Sequence, residues 1–304
     1  MRVPPDRPTA QEVLDTVRRH WAPGARMIVH LPLGFGAHHW RVDGDGQSFF
    51  ATLDVISPTR TAESFERAYR GAQVLGNASL RGVHPSLPSH DGRLTIECGG
   101  GLLSVATWIE GRSPTSSESE REQHRAQVLA LLAGLHGSPA PPGIDRWVPR
   151  VAERLAERVA GAVTAPWASG PCGESARKLL SDHLLKIDFR ERRYWELRSV
   201  EERAADRRVP THGEPHASNQ MLSGGELLFV DWETLALAPR ERDLTGFPAA
   251  VRRAQGADPE MIEMFELEWT LSEIEEYQRW FRAPHTGGED DLIALEDLRE
   301  ELQR

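Results

Sequence analysis

Lysine is nearly absent from this chain. Of its 36 basic residues only Lys178 and Lys186 are lysines, so chemistry that needs an ε-ammonium has two candidates, neither in the first 177 positions. Cysteine is equally scarce. Cys98 and Cys172 alone make no disulfide framework, and a cytoplasmic location is the default expectation. No apolar run approaches the roughly 18–20 residues of a membrane span. The opening stretch MRVPPDRPTAQEV lacks the apolar core of a signal peptide, so no membrane partner is expected. Positive charge is not in excess either: the net charge is −10 and the pI is near 5.7. That balance argues against a nucleic-acid partner, which calls for a basic face, and leaves room for a cationic small molecule.

What is present is an ordinary globular composition, 39% hydrophobic and 27% charged, over 304 residues, enough for one large domain or two lobes around a cleft. Thr9 with Glu12 has the form of a capping box for a helix over 10–21. Strands are expected over 26–33, 39–42 and 47–55, with a hairpin turn at 43–46. A helix over 61–76 and strands over 94–98 and 102–108 follow. This first part reads as a mostly antiparallel sheet with one inserted helix. The Ser/Pro-rich stretch 111–118 is the expected linker. Beyond it the pattern is helical over 118–136, 147–160, 174–187, 191–207, 259–281 and 290–302.

Between those helices lies the segment 211–243, THGEPHASNQMLSGGELLFVDWETLALAPRERD. His212, Glu214 and Asn219 share one short loop. Asp231 follows an apolar strand, 227–230, paired through a Ser-Gly-Gly turn with 220–222. A carboxylate beside an attacking hydroxyl, with an amide and a second carboxylate for Mg²⁺, is the inventory that chemistry on a nucleoside triphosphate needs. His212 and His216 stand at i, i+4 around Glu214 like a zinc hydrolase motif, but Pro215 argues against the continuous helix that motif requires.

HGEPHASN, then LLFVDWE, then RERDL, resembles the aminoglycoside phosphotransferase family, whose fold is similar to that of protein kinases and choline kinases. The resemblance covers the element order of both lobes and is residue-specific between 211 and 243. It implies an α+β, protein-kinase-like two-lobe fold: a nucleotide-binding lobe over 1–110 and a mainly helical lobe over 111–304 that carries the catalytic loop and acceptor site. It implies ATP or GTP as phosphoryl donor, with Mg²⁺. Glu214 matches the catalytic carboxylate that accepts the proton of the substrate hydroxyl. Asn219 and Asp231 match the metal ligands, Asp243 a buried brace of the loop, and His212 a catalytic-loop residue that braces by hydrogen bonding. Gly34-Phe35-Gly36 fits a phosphate-covering loop, with Gly34 and Gly36 letting backbone N–H groups approach phosphate. The backbone of Thr107 and Ile109 falls where the hinge meets adenine.

Two positions depart from the family pattern. Thr52 stands on the third strand where the family carries a lysine that pairs with the phosphates and with a Glu on the inserted helix, here Glu63 or Glu66. His38, His39 and Arg41 are the candidate substitutes, and Arg41 would bring a permanent charge. The catalytic Asp is replaced by Glu214, one methylene longer. The acceptor is expected to be an aminoglycoside or aminocyclitol; a macrolide, a nucleoside antibiotic or another metabolite also fits. A helix crowded with Asp258, Glu260, Glu263, Glu266, Glu268, Glu273, Glu275 and Glu276, interleaved with Trp269, Tyr277 and Trp280, suits a cationic acceptor or else is a solvated amphipathic helix. Glu233 is expected to assist the metal or to pair with Arg240 or Arg242. A pseudokinase-like binding protein and a kinase-fold enzyme with another transfer reaction are the competing readings.

Overall fold

The structure, a computed structural model, describes residues 1–34, 36–57, 60–203 and 207–304. In chain order it has α1 (Ala10–His20), β1 (Ala25–Leu31), β2 (His38–Gly44), β3 (Gln47–Asp54), α2 (Ala62–Asn77), β4 (Ile96–Cys98), β5 (Gly101–Thr107), α3 (Ser116–Ser119) and α4 (Glu122–His136). Then come α5 (Leu155–Ala162), α6 (Gly173–Asp182) and α7 (Leu184–Arg203). β6 (Val209–Thr211), β7 (Gln220–Ser223), β8 (Glu226–Phe229) and β9 (Ala236–Ala238) precede α8 (Ala249–Ala254), α9 (Pro259–Arg282) and α10 (Glu289–Gln303). Contacts gather the chain into two compact units: Met1–Trp147 with Arg208–Asp243, and Val148–Arg207 with Leu244–Arg304. The grouping is not linear in sequence, because residues Arg208–Asp243 belong with the sheet. No described helix is long and apolar enough to cross a membrane.

The first unit is built on an antiparallel sheet of order β1-β2-β3-β5-β4. Strand alternation decides what faces what. Trp40 and Val42, Phe49, Ala51 and Leu53, and Leu103 and Val105 point to one side and form a core with Val13, Leu14 and Val17 of α1. Each such buried aliphatic side chain is worth about 1.5–3 kcal/mol against exposure. α1 begins as expected: Thr9 Oγ1 accepts from Glu12 N at 3.3 Å and Glu12 Oε2 accepts from Thr9 N at 2.7 Å. On the sheet's other face lie His39, Phe50, Thr52 and Asp54, and there Tyr69 of α2 donates to Asp54 Oδ2 at 2.9 Å.

Local competition moved several expected boundaries. β4 starts at Ile96 because the Glu66 carboxylate takes the amides of Leu94, at 2.9 Å, and Thr95, at 3.0 Å. The expected linker is docked: Arg112 N donates to Leu222 O at 3.2 Å and Leu222 N returns to Arg112 O at 2.8 Å. Thr115 and Glu118 form a capping box there, so one expected helix becomes α3 and α4. α5 begins only after Arg154, whose φ of 58° is left-handed. The expected helices over 174–187 and 191–207 instead break at His183, and the latter's end runs into 204–206, outside the described residues. The short pair β6–β9 carries no alternation that a sequence pattern could reveal.

The second unit is helical. α7 packs against α5 and α9, and α9 against α10. Leu155, Ile187, Tyr194, Ile274 and Phe281 are buried within it. Glu268, 2% exposed, sits among them and accepts from Tyr194 Oη at 3.0 Å and Arg150 N at 2.9 Å.

Candidate active site

The loop after β6 is held by one buried carboxylate. Asp243 Oδ1 accepts from Gly213 N at 2.6 Å, and Oδ2 accepts from His212 N at 3.0 Å and lies 2.9 Å from His136 Nε2. Burial alone would raise the Asp243 carboxyl. The hydrogen bond and charge of His136, with the charge of Arg242, outweigh that and hold it below its usual value. Gly213 has φ of 96°, and a Cβ there would lie 2.4 Å from the Arg242 guanidinium carbon, so only glycine fits. Arg242 is itself fixed on Thr211 Oγ1 at 3.1 Å and Thr234 O at 2.9 Å.

His212 is fully buried and its bonds specify one tautomer. Nε2 donates to Val230 O at 3.0 Å, and Nδ1 accepts from Glu214 N at 3.3 Å, which requires the neutral Nε2–H ring. Burial lowers its pKa to about 4. This ring ties the loop to the residue before Asp231, and a neutral, enclosed imidazole is a brace. Glu214 is therefore fixed at both ends of its backbone: its N–H is held by His212, and its carbonyl accepts from Asn219 Nδ2 at 3.0 Å. The Asn219 amide oxygen, the atom a metal would use, takes no part in that bond. Val230 N donates to Asn219 O at 3.0 Å, bringing the second ligand candidate alongside.

Asp231 follows β8 with φ 63° and ψ 67°, a left-handed conformation that is costly for a residue with a Cβ and that collects at functional sites. The residue as a whole is exposed, while protein atoms crowd its carboxyl and desolvate it. That desolvation, with the charges of Glu233 and Glu214, pushes it well above the usual carboxylate range against the pull of Arg60. Asp54 is also raised, first by burial and then by Glu233 and Asp231. Glu233 pairs with Arg60, not with Arg240 or Arg242. Asp54, Asp231 and Glu233 thus gather around one arginine, and oxygen donors in excess of positive charge suit a hard divalent cation. Among the described residues no three His, Cys, Asp or Glu side chains converge as a complete cage. A magnesium ion would take Asn219 and Asp231 together with phosphate oxygens.

The proposed lysine substitutes fare unequally. His38 and His39 cannot both face the site, because adjacent strand residues alternate. His38 stacks toward His30 and Trp40, at 6.0 and 6.1 Å, on the α1 side. His39 stacks on Phe50 at 5.1 Å, and its Nδ1 lies 3.2 Å from Thr52 Oγ1. Its surroundings lower its pKa to about 3, chiefly by desolvation and then by the chain's terminal ammonium, so it brings no charge. Arg41 is held by Asp43 at 2.9 Å and Ser48 at 3.1 Å over the Trp108 ring. Glu66 is committed to 94–95 and to Arg70, and Glu63 is exposed on α2, so neither awaits a strand lysine. Gly34 and Gly36 have φ of 64° and 87°. Phe35 lies outside the described residues. At the hinge, Thr107 O lies 2.9 Å from His84 Nε2, which uses one of its two lone pairs, and Ile109 is half-buried.

The acidic helix α9 is largely neutralised by its own unit. Glu263 makes two 2.8 Å bonds to Arg193, and Glu266, Glu275 and Glu276 each pair at 2.7 Å with Arg252, Arg158 and Arg279. Trp269 and Trp280 donate to Glu301 and Asp291 of α10. These contacts favour the amphipathic-helix reading over a bare cation-binding surface. Sequence reading missed His136, Arg60 and Asp54. Only Asp54 left a signal, an acid closing a strand of alternating apolar residues.

The chain is 27% identical over 249 residues to Protein StrN of Streptomyces griseus, which spans 77% of this chain and 76% of that protein. In fold it is similar to the spectinomycin phosphotransferase APH(9)-Ia, solved with ADP and spectinomycin, at TM-score 0.73 and 14% identity over 97% of this chain and 95% of that one. The amicoumacin kinase hAmiN, solved with AMP-PNP, Ca²⁺ and Ami, gives TM-score 0.54 and 13% identity over 96% and 92%. At these identities the structural likeness is one of fold. The model of the Phosphotransferase enzyme family (APH) matches residues 28–280, from β1 into α9 and through the whole braced loop, and the chain belongs to that family.

Proposed function

We propose that the protein is an ATP- or GTP-dependent O-phosphotransferase that acts on a hydroxyl of an aminoglycoside or aminocyclitol-type molecule. The observation that carries this reading is the anchored Glu214–Asn219 loop set beside a left-handed Asp231. Glu214 accepts the hydroxyl proton while the acceptor oxygen attacks the γ-phosphorus and the nucleoside diphosphate leaves. Magnesium, held by Asn219 and Asp231, supplies charge neutralisation of the triphosphate. Residues 1–110 serve as the nucleotide lobe, residues 111–304 carry the catalytic loop and acceptor site, and the cytoplasm supplies the nucleotide. The acceptor class is supported by the spectinomycin phosphotransferase that shares the fold. The balanced charges of α9 add nothing to the case for a cationic acceptor.

A second reading, a binding protein without transfer, draws on Thr52: a hydroxyl engaged with His39 stands where the family places a lysine. Both readings meet the same experiment. ATP and GTP, with and without Mg²⁺, are tested for thermal stabilisation, and phosphate transfer is then assayed on a panel of aminoglycosides, aminocyclitols and macrolides. Transfer that falls by about 10²–10⁴ in Glu214→Gln and is abolished in Asp231→Ala supports the enzyme. Nucleotide binding without transfer to any acceptor supports the second reading. No stabilisation by either nucleotide removes the phosphotransferase reading and leaves only a binding protein for another ligand.

A further inference from the structure

A triphosphate brings several negative charges into a site that already holds Asp54, Glu214, Asp231 and Glu233. On the sheet face His39 is neutral, Arg41 is engaged by Asp43 and Ser48, and Thr52 is uncharged. The guanidinium of Arg60 does pair with one of these acids, Glu233. Its backbone exchanges two hydrogen bonds with that of Ser57, Ser57 N to Arg60 O at 3.0 Å and Arg60 N to Ser57 O at 3.1 Å, and Thr61 then caps α2. Its head pairs with Glu233 and lies 4.8 Å over the Phe65 ring. It also lies close enough to Asp54, Glu214 and Asp231 to interact with their charges. The Arg60 side chain remains 41% exposed while Glu233 is 13% exposed.

We propose that Arg60 is the phosphate-binding cation of this protein, paired with Glu233 as seen here and turned to the β- and γ-phosphate oxygens when a metal-bound triphosphate enters. The inference rests on the phosphotransferase reading above. Asn219 and Asp231 would hold a divalent ion whose charge would offset the acids around Arg60, and the Arg60 fork, turned from Glu233, matches two phosphate oxygens at once. The linkage between third strand and inserted helix is correspondingly rebuilt: the strand contributes the acid Asp54, and the helix side contributes Tyr69 and Arg60.

The test is equilibrium binding of ATP, ADP and AMP in Mg²⁺ to wild type, Arg60→Ala and the double variant Arg60→Ala/Glu233→Gln. The double variant removes the acid that Arg60→Ala would leave uncompensated, so it also serves if the single variant folds poorly. Both variants are expected to bind ATP and ADP about 10- to 30-fold more weakly, the worth of a charge-assisted contact, with AMP changed less than about twofold. Equal losses for all three nucleotides, or ATP affinity restored in the double variant, would show that Arg60 only neutralises Glu233 and would overturn the proposal. Wild type that binds ATP tightly alongside an unaffected Arg60→Ala refutes this inference alone. Wild type that binds no nucleotide refutes the phosphotransferase reading and this inference with it.

Discussion

Replacing Asp243 by Asn probes how the loop after β6 is held. The carboxylate is 1% exposed and accepts from two consecutive backbone amides, at 2.6 and 3.0 Å, while facing His136 at 2.9 Å. Asn is nearly isosteric but keeps one acceptor oxygen, so its NH₂ must face either the Gly213 or the His212 amide, donor against donor. Hydrogen bonds to a charged acceptor contribute about 1.5–3 kcal/mol, and a buried N–H left unpaired costs about 1–3 kcal/mol. The expected loss is about 2–4 kcal/mol, which a domain of ordinary stability, about 5–15 kcal/mol, survives. Urea denaturation at neutral pH measures it. Because Gly213 precedes Glu214, a shift of about 1 Å in the loop should lower kcat about 100-fold, with the KM for nucleotide little changed. pH supplies an internal control. The folded pKa of Asp243 is depressed, so its stabilisation is complete above the unfolded value and is lost as pH falls through the folded one. The gap between wild type and Asp243→Asn should therefore close in acid. A variant within about 0.5 kcal/mol of wild type, with unchanged kcat, would refute the bracing argument.

Two further changes test neighbouring parts of the same loop. Gly213→Ala forces a side chain into φ 96° and within 2.4 Å of an anchored guanidinium, and should destabilise by at least about 2 kcal/mol in the same titration; a neutral effect would mean that Arg242 yields freely. Neutral His212, with a folded pKa of about 4 against an unfolded value near 6.5, stabilises fully above pH 6.5 and progressively less as pH drops toward 4. That span corresponds to about 3 kcal/mol. His212→Gln should flatten the decline of the denaturation midpoint between those pH values, and an unchanged slope would show that the proton is taken up elsewhere.

Much of this site was legible along the chain because its parts are near one another in sequence. His212, Glu214 and Asn219 fall within eight positions, and the bonds that organise them run over two and five residues. Asp231 was marked by the apolar strand before it, and α1 by a capping box that closes over three residues. The antiparallel sheet followed from strand alternation, and the same alternation, applied residue by residue, separates His38 from His39. Composition misled at 111–118, where Ser and Pro suggested a tether but Arg112 adds a bridge to β7. The charge run of α9 was ambiguous for the same reason: acid content along a helix says nothing of the arginines on α5, α7 and α8 that meet it.

The sequence by itself determined the order of chemical groups, the periodicities that make each helix and strand, and the family to which the loop belongs, since these depend on neighbours a few residues apart. The tertiary structure alone decided which charges meet. Asp243 finds His136 across 107 positions, and Glu233 finds Arg60 and Asp54 from the far side of the chain. Electrostatic interaction depends on distance through space and on the depth of burial, and neither quantity is written in the spacing of residues along the chain.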